Sequence, residues 1–189
     1  STVFETFLGQ MADVEYSNGE HVLESDVIEL YKTKTARYSF VAPLQMGAMA
    51  ASAHNDELMR LEKIGVNLGI MYQLQDDLMG IFSDSKQTGK SIMSDVMLGK
   101  ITTLFLYTKN HANKKDKINL KSLYGNRNIH THELEEVIKI MEKTGGKNYI
   151  QREIESYYEK TITEISGFGK TIDLTILESM IESMKNRVK

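Results

Sequence analysis

The chain has 189 residues, a formal net charge of -3, one proline and no cysteine. That length suits a single domain with a real core. The acidic balance excludes the basic face that nucleic-acid binding calls for, and the lack of cysteine excludes disulfides and thiolate-held metals. No apolar run reaches the ~18 residues of a membrane span, and no basic-then-apolar leader is visible, so the expectation is a cytoplasmic protein. Helical periodicity runs through most of the sequence and strict alternation is nowhere sustained, which predicts an all-α helical bundle.

In chain order, a first helix is predicted through Tyr16, ended by Ser17-Asn18-Gly19. A second opens at Ser25-Asp26, read as its N-cap pair, and runs to Pro43; a third covers Leu44 to Ser52. Asn55 and Asp56 open a long helix to Phe82, whose Leu61, Ile64, Leu68, Met71 and Leu78 form one apolar stripe. Residues 83–98 read as a polar loop and Lys100–Lys109 as a helix. Asn110–His132, rich in Lys, Asn and His, reads as an exposed connection with one short helical turn. Three helices complete the chain: Thr131–Thr144, Lys147–Ile165 and Asp173–Asn186.

Two Gly-Lys pairs punctuate "TGKSIMSDVMLGKITTL", Thr88 to Leu104. Gly89-Lys90-Ser91 has the look of a P-loop end, but that motif needs glycine five positions earlier, where Asp84 stands. A carboxylate there would repel the phosphates such a loop cradles. The stretch follows "YQLQDDLMGIFSD", in which Gln73, Asp76, Asp77, Gly80 and Asp84 recur on one helical face. Adjacent carboxylates near a core demand a cation. Magnesium suits them, being a hard ion that takes one or two carboxylates plus substrate phosphates. Lys90 and Lys100 flank Asp95 just beyond, so acids, metal and ammonium groups can converge on a diphosphate. One ammonium about 4 Å from a phosphate oxygen is worth about 4 kcal/mol at an effective dielectric near 20.

These two stretches together resemble the second aspartate-rich region of the trans-isoprenyl diphosphate synthases (polyprenyl synthetases). "KTKTARYSFVAPLQMGA", Lys32 to Ala48, is similar to the family's Lys-Thr-Ala motif, and "GQMADVEY", Gly9 to Tyr16, to its Gly-Gln-x-x-Asp segment. The four pieces stand in the family's order, and the Asp-Asp-Leu-x-Gly form is similar to members with geranylgeranyl-length products. The resemblance implies an all-helical, Mg²⁺-dependent prenyltransferase, usually a homodimer, that joins an allylic diphosphate to isopentenyl diphosphate. Carried over, Asp76 ligates magnesium with Asp77 in or beside that shell. Lys34, Lys90 and Lys100 face the allylic diphosphate. Gln73 and Thr35, with the Lys34 carbonyl, point dipoles at the allylic cation. Gln10 and Asp13 line the same cavity, Asp13 nearer the metals.

Each residue also has a plainer reading. Lys34 suits a surface helix, Asp95 a turn cap, and Gln10 a polar edge. Tyr72, Phe82, Met46, Met49, Met71 and Met79 suit core filling, and Lys185, Arg187 and Lys189 a solvated tail or a basic end closing over diphosphates. The five histidines show no zinc-like spacing, and none is given a role. Two departures from the family stand out. Gly80 occupies the place of a further aspartate, and the first aspartate-rich motif, its arginine pair and the isopentenyl-diphosphate site belong before Gly9. The expectation is a single helical domain, residues 1–189, forming the C-terminal part of a synthase whose N-terminal helices lie outside it, and inactive alone. The alternatives are a non-catalytic modulating subunit or a terpene cyclase.

Overall fold

The sequence from Asn55 to Phe82 supplies 28 residues without proline, and it forms the helix around which the others pack. The computed structural model describes residues 2–16, 21–82, 93–168 and 173–188. In chain order these form α1 (Thr2–Tyr16), α2 (Glu24–Tyr31), a π-helical stretch (Lys32–Val41), α3 (Ala42–Ala50), α4 (Asn55–Phe82) and α5 (Met93–Met97). Then come α6 (Thr103–His111), α7 (Lys114–Leu123), α8 (Thr131–Lys143), α9 (Gly146–Ser166), α10 (Thr175–Lys185) and a 3₁₀ turn (Asn186–Val188). The described residues contain no strand, so the all-α expectation holds.

α4 packs chiefly against α9 and the π stretch, and α1 lies on the π stretch in turn. Ile64, Leu68, Met71 and Leu78 of the expected stripe are buried, whereas Leu61 is half-buried. Ile70, Leu74 and Ile81 are buried as well, so from residue 64 onward α4 is covered on more than one face. They join Leu104, Met141, Ile150 and Ile181 in one core, each full burial of such a side chain contributing about 1.5–3 kcal/mol.

Several local expectations are corrected. α2 begins at Glu24, with Leu23 as N-cap; Asp26 serves at the third helical position, its carboxylate accepting from the Leu23 N–H at 2.9 Å. Pro43 does not break the chain, because α2, the π stretch and α3 run on as one helix. The Ala42 N–H already reaches back five residues to the Arg37 carbonyl, so Pro43 enters α3 where the four-residue ladder is interrupted. The 83–98 loop ends in the short helix α5, and its residues 83–92 lie outside the described residues. The Lys-rich connection holds a ten-residue helix, α7. Its N-cap Asn113 accepts from the Asp116 N–H at 2.9 Å, Lys143 pairs with Asp116 at 2.7 Å, and Leu120 is buried. Composition hid it, since one buried apolar position per turn among lysines gives little amphipathic signal. Met46 and Met49, expected in the core, are exposed; Met71 is buried.

The α4–π contact sets the position of everything that follows. A Cβ on Gly69 would overlap Cα and Cβ of Ala36, so glycine is what lets the two backbones meet. Gly69→Ala is therefore expected to cost about 3 kcal/mol, at the upper end of overpacking effects. Gly47→Ala, where an added Cβ meets nothing within 4 Å, is expected to stabilise by up to about 1 kcal/mol. Urea midpoints of the two variants check the opposite signs.

Candidate active site

The π stretch carries Lys34 and Thr35 one turn beyond Tyr31, which ends α2. Inserted π turns are frequent at functional sites because they re-aim side chains within a helix. Here the close Gly69–Ala36 approach brings that surface against the second half of α4. The Thr35 Oγ1 donates to Gln73 Oε1 at 3.1 Å, and Gln73 Nε2 donates to Asp77 Oδ1 at 3.1 Å. Asp77 is the centre of the network. The Tyr31 hydroxyl donates to its other oxygen, and the Lys100 ammonium lies 3.3 Å from Oδ1. The Tyr31 oxygen in turn accepts from the Thr103 N–H at the start of α6, at 3.3 Å.

Burial pushes the Asp77 carboxyl above its ordinary range, and Lys100, Tyr31 and Gln73 act in the opposite direction. Burial likewise works against the charge on Lys100, but Asp77, Asp95 and Asp13 hold its ammonium above the ordinary lysine value. Burial and the neighbouring Asp77 raise the Tyr31 phenol well above its usual range, so it keeps the proton it donates. The Tyr124 hydroxyl steadies Lys100 from behind, donating to its carbonyl at 2.6 Å.

Asp95, on α5, brings a second carboxylate to within 3.8 Å of the Lys100 ammonium. Its Oδ2 stands 2.9 Å from where a Cβ on Gly80 would lie. The absence of a side chain at Gly80, which set this sequence apart from the usual motif, is thus filled by a carboxylate from another element. Asp95 is more than a turn cap.

Asp76 and Asp77 do not share a surface. Asp77 is 2% exposed, whereas the Asp76 side chain is 23% exposed and meets Arg187 Nη2 at 2.9 Å. The guanidinium also sits 4.1 Å over the Tyr72 ring. Successive helical positions lie 100° apart, which sends Asp77 inward and Asp76 toward the rim. The two acids therefore do not share one face as expected, and the Asp77 oxygens meet Tyr31, Gln73 and Lys100.

The other residues singled out from the sequence are placed as follows. Asp13, on α1, forms an ion pair with Lys34. Gln10 is exposed on the same helix. Lys90 lies outside the described residues. Sequence reasoning missed Tyr31 and Tyr124, and it named Arg187 only within a basic tail or closing end. Tyr31 carried a usable signal, since it stands three and four residues before Lys34 and Thr35, the spacing of one helical face. Arg187 had been read with the tail, and Lys185 pairs instead with Glu155 at 2.8 Å. A groove of about 740 Å³ between α9 and α10 is lined by Tyr158, Glu178 and Glu182 among others, and shares no residue with the Asp77 network.

Among the described residues no three His, Cys, Asp or Glu side chains form a ready metal cage. Magnesium does not require one, since it is commonly held by one or two carboxylates while phosphate oxygens and waters complete the octahedron. Asp76 meets that requirement. It is a half-buried carboxylate at the rim, and a guanidinium already stands in the place of a cation beside it.

A family model described as Polyprenyl synthetase matches residues 1–141. The chain is 36% identical over 135 residues to a geranylgeranyl diphosphate synthase of Saccharolobus solfataricus, covering 71% of this chain and 40% of that protein. It is 30% identical over 167 residues to a geranylgeranyl diphosphate synthase of Sulfolobus acidocaldarius, covering 88% and 50%. It thus spans about half or less of the length of these relatives. In fold it matches a geranylgeranyl pyrophosphate synthase of Corynebacterium glutamicum, crystallised with isoprenyl diphosphate and magnesium, with a TM-score of 0.87 at 22% identity over 97% of this chain and 51% of that one. Three-quarters of the chain falls under the family model, and the motif residues Asp13, Lys34, Gln73, Asp77 and Lys100 gather at one place in the fold; the chain belongs to the polyprenyl synthetase family.

Proposed function

We propose that this chain is the C-terminal catalytic portion of a prenyltransferase that condenses an allylic diphosphate with isopentenyl diphosphate. The observation that carries the reading is the Asp77 network. It holds Lys100, Gln73 and, through Gln73, Thr35 in fixed relation beside a more exposed carboxylate, Asp76. Asp76 would hold magnesium, which supplies electrophilic pull on the departing diphosphate. Lys34, Lys100 and Lys90 would grip the diphosphate of the allylic substrate. As its carbon–oxygen bond breaks, the electron pair leaves with the diphosphate. Gln73 Oε1 and Thr35 Oγ1 then face the allylic cation with lone pairs, and the double bond of isopentenyl diphosphate attacks before a proton is lost. Gln10 and Asp13 belong to the α1 wall of this cavity. Asp77 serves as the anchor that orients the others.

The opposite wall belongs to further helices. Supporting this, α1 exposes Val3, Phe4, Phe7, Leu8, Met11 and Val14, an apolar face that water alone does not favour. A homodimer and a cytoplasmic place are part of the same proposal, the latter supported by the cysteine-free composition; no described helix is long and apolar enough to cross a membrane. The test is incubation of the protein expressed from its complete gene with labelled isopentenyl diphosphate, an allylic diphosphate and Mg²⁺. Chain elongation supports the proposal. Cyclised hydrocarbon would make it a terpene cyclase, and no turnover by a folded protein would favour a modulating subunit.

Three outcomes are expected of variants, read from that assay and from stability measurements. Asp76→Ala lowers turnover by about 10²–10³-fold, the scale of losing one preorganised electrostatic group, with a melting temperature close to the parent's. Tyr31→Phe removes a hydrogen bond to a buried carboxylate and costs about 1.5–3 kcal/mol of stability, read from urea unfolding. Gly80→Asp places a second carboxylate on Asp95 and lowers both stability and turnover. The double variant Gly80→Asp with Asp95→Gly recovers part of each, as a double-mutant cycle on both readouts will register.

A further inference from the structure

The C-terminal segment is held by a set of α4 residues distinct from the Asp77 network. Tyr72, Gln75 and Asp76 stand at i, i+3 and i+4, one face of the helix. Gln75 is fully buried, an unusual place for an amide, and its Nε2 donates to the Met184 carbonyl at 2.7 Å. Tyr72 lies under the Arg187 guanidinium at 4.1 Å, and Asp76 accepts from Arg187 at 2.9 Å. The three contacts together fix the chain end on α4, with its cation directly against the more exposed acid of the pair.

We propose that Arg187 is a placeholder cation, positioned by Gln75 and Tyr72, which competes with divalent metal for Asp76, so that loading of metal is coupled to release of the segment around Met184–Arg187. This rests on the reading of Asp76 as a metal ligand. A magnesium ion coordinates carboxylate oxygen at about 2.0–2.1 Å. Arg187 engages Oδ1 of Asp76, so a divalent ion taken by the same carboxylate would stand a few ångström from the guanidinium, and repulsion between the two cations sets them in competition. The ion pair is partly exposed, its side chains 32% and 23% accessible, so it is weak enough to be exchanged. In the absence of metal it pairs with Asp76 and helps keep the segment around Met184–Arg187 on α4. Arg187 is a positioning residue in this scheme, since it acts on the metal site through Asp76.

The experiment is titration of the protein expressed from its complete gene with Mn²⁺ in the presence of inorganic diphosphate, followed by electron paramagnetic resonance of the free ion. Hydrogen exchange of residues 184–188 is measured alongside, with thermal melts confirming that each variant is folded. Arg187→Ala is expected to tighten Mn²⁺ binding by about threefold to tenfold, in keeping with the loss of one weak competing ion pair. Asp76→Asn is expected to weaken it by at least about tenfold. In the parent, added Mn²⁺ speeds exchange at residues 184–188; in Gln75→Met, exchange there is fast without metal. If Asp76→Asn weakens binding while Arg187→Ala leaves it unchanged or weaker, the placeholder role is overturned and the metal reading of Asp76 stands. If Asp76→Asn binds Mn²⁺ as the parent does, the metal reading itself fails and the placeholder role with it.

Discussion

A carboxylate cannot be buried in a helical core without donors brought to it, and Asp77 obtains them from well-separated parts of the chain. Tyr31 comes from the end of α2, Lys100 from the turn before α6, and Gln73 from one turn earlier on α4. Removing a partner from a buried ion pair typically costs about 3–5 kcal/mol, because the remaining charge is stranded. The three donors are therefore coupled: displacing any of them leaves the same acid underserved. This requirement fixes where the π stretch and the start of α6 sit relative to α4, and the side chains that flank Tyr31 and Lys100 are placed as a consequence.

Two neighbouring acids acquire different roles from a single rotation along the helix. Asp77 turns inward and becomes part of the framework, while Asp76 turns to the rim, where it meets Arg187. The glycine at position 80 belongs to the same division. It gives up its own side chain so that Asp95 can approach from α5, and the acid is delivered by a different element without loss of charge at that point. A carboxylate supplied across space rather than along the helix also ties α5 to Lys100, which a side chain on α4 would not do.

The helices with long uniform periodicity were legible from sequence, and α4 was read to its observed ends because Asn55 opens it and the apolar spacing never slips. The π stretch was not legible. Its distinguishing feature is a five-residue hydrogen bond from Ala42 to Arg37, and no residue type is reserved for that geometry. Pro43 accordingly looked like a break. α7 was missed for a different reason, since lysine is a good helix former whose presence says nothing about which face is buried. In the candidate site, motif resemblance named Asp13, Lys34, Gln73 and Lys100, and the structure gathers them around one network. Motifs are silent on Tyr31 and Arg187, because a phenol or guanidinium that supports an acid from a distance of many residues leaves only its own letter in the sequence.

The charges at this site are arranged as ion pairs. Lys34 is held by Asp13, Lys100 by Asp77 and Asp95, and Arg187 by Asp76, so each of these three cations already has a carboxylate partner. On the proposed reading, an arriving diphosphate offers those cations a second anion, and each ammonium that turns toward it relieves its carboxylate of a partner. Exposed pairs give way first, since solvent competes for both members and little desolvation has to be undone. Asp76, whose pair with Arg187 is more accessible than the others, is then the first to exchange, whereas Asp77, at 2% exposure and with two neutral donors besides Lys100, keeps its place. On that reading the rim trades partners, and the buried carboxylate keeps the geometry while it does so.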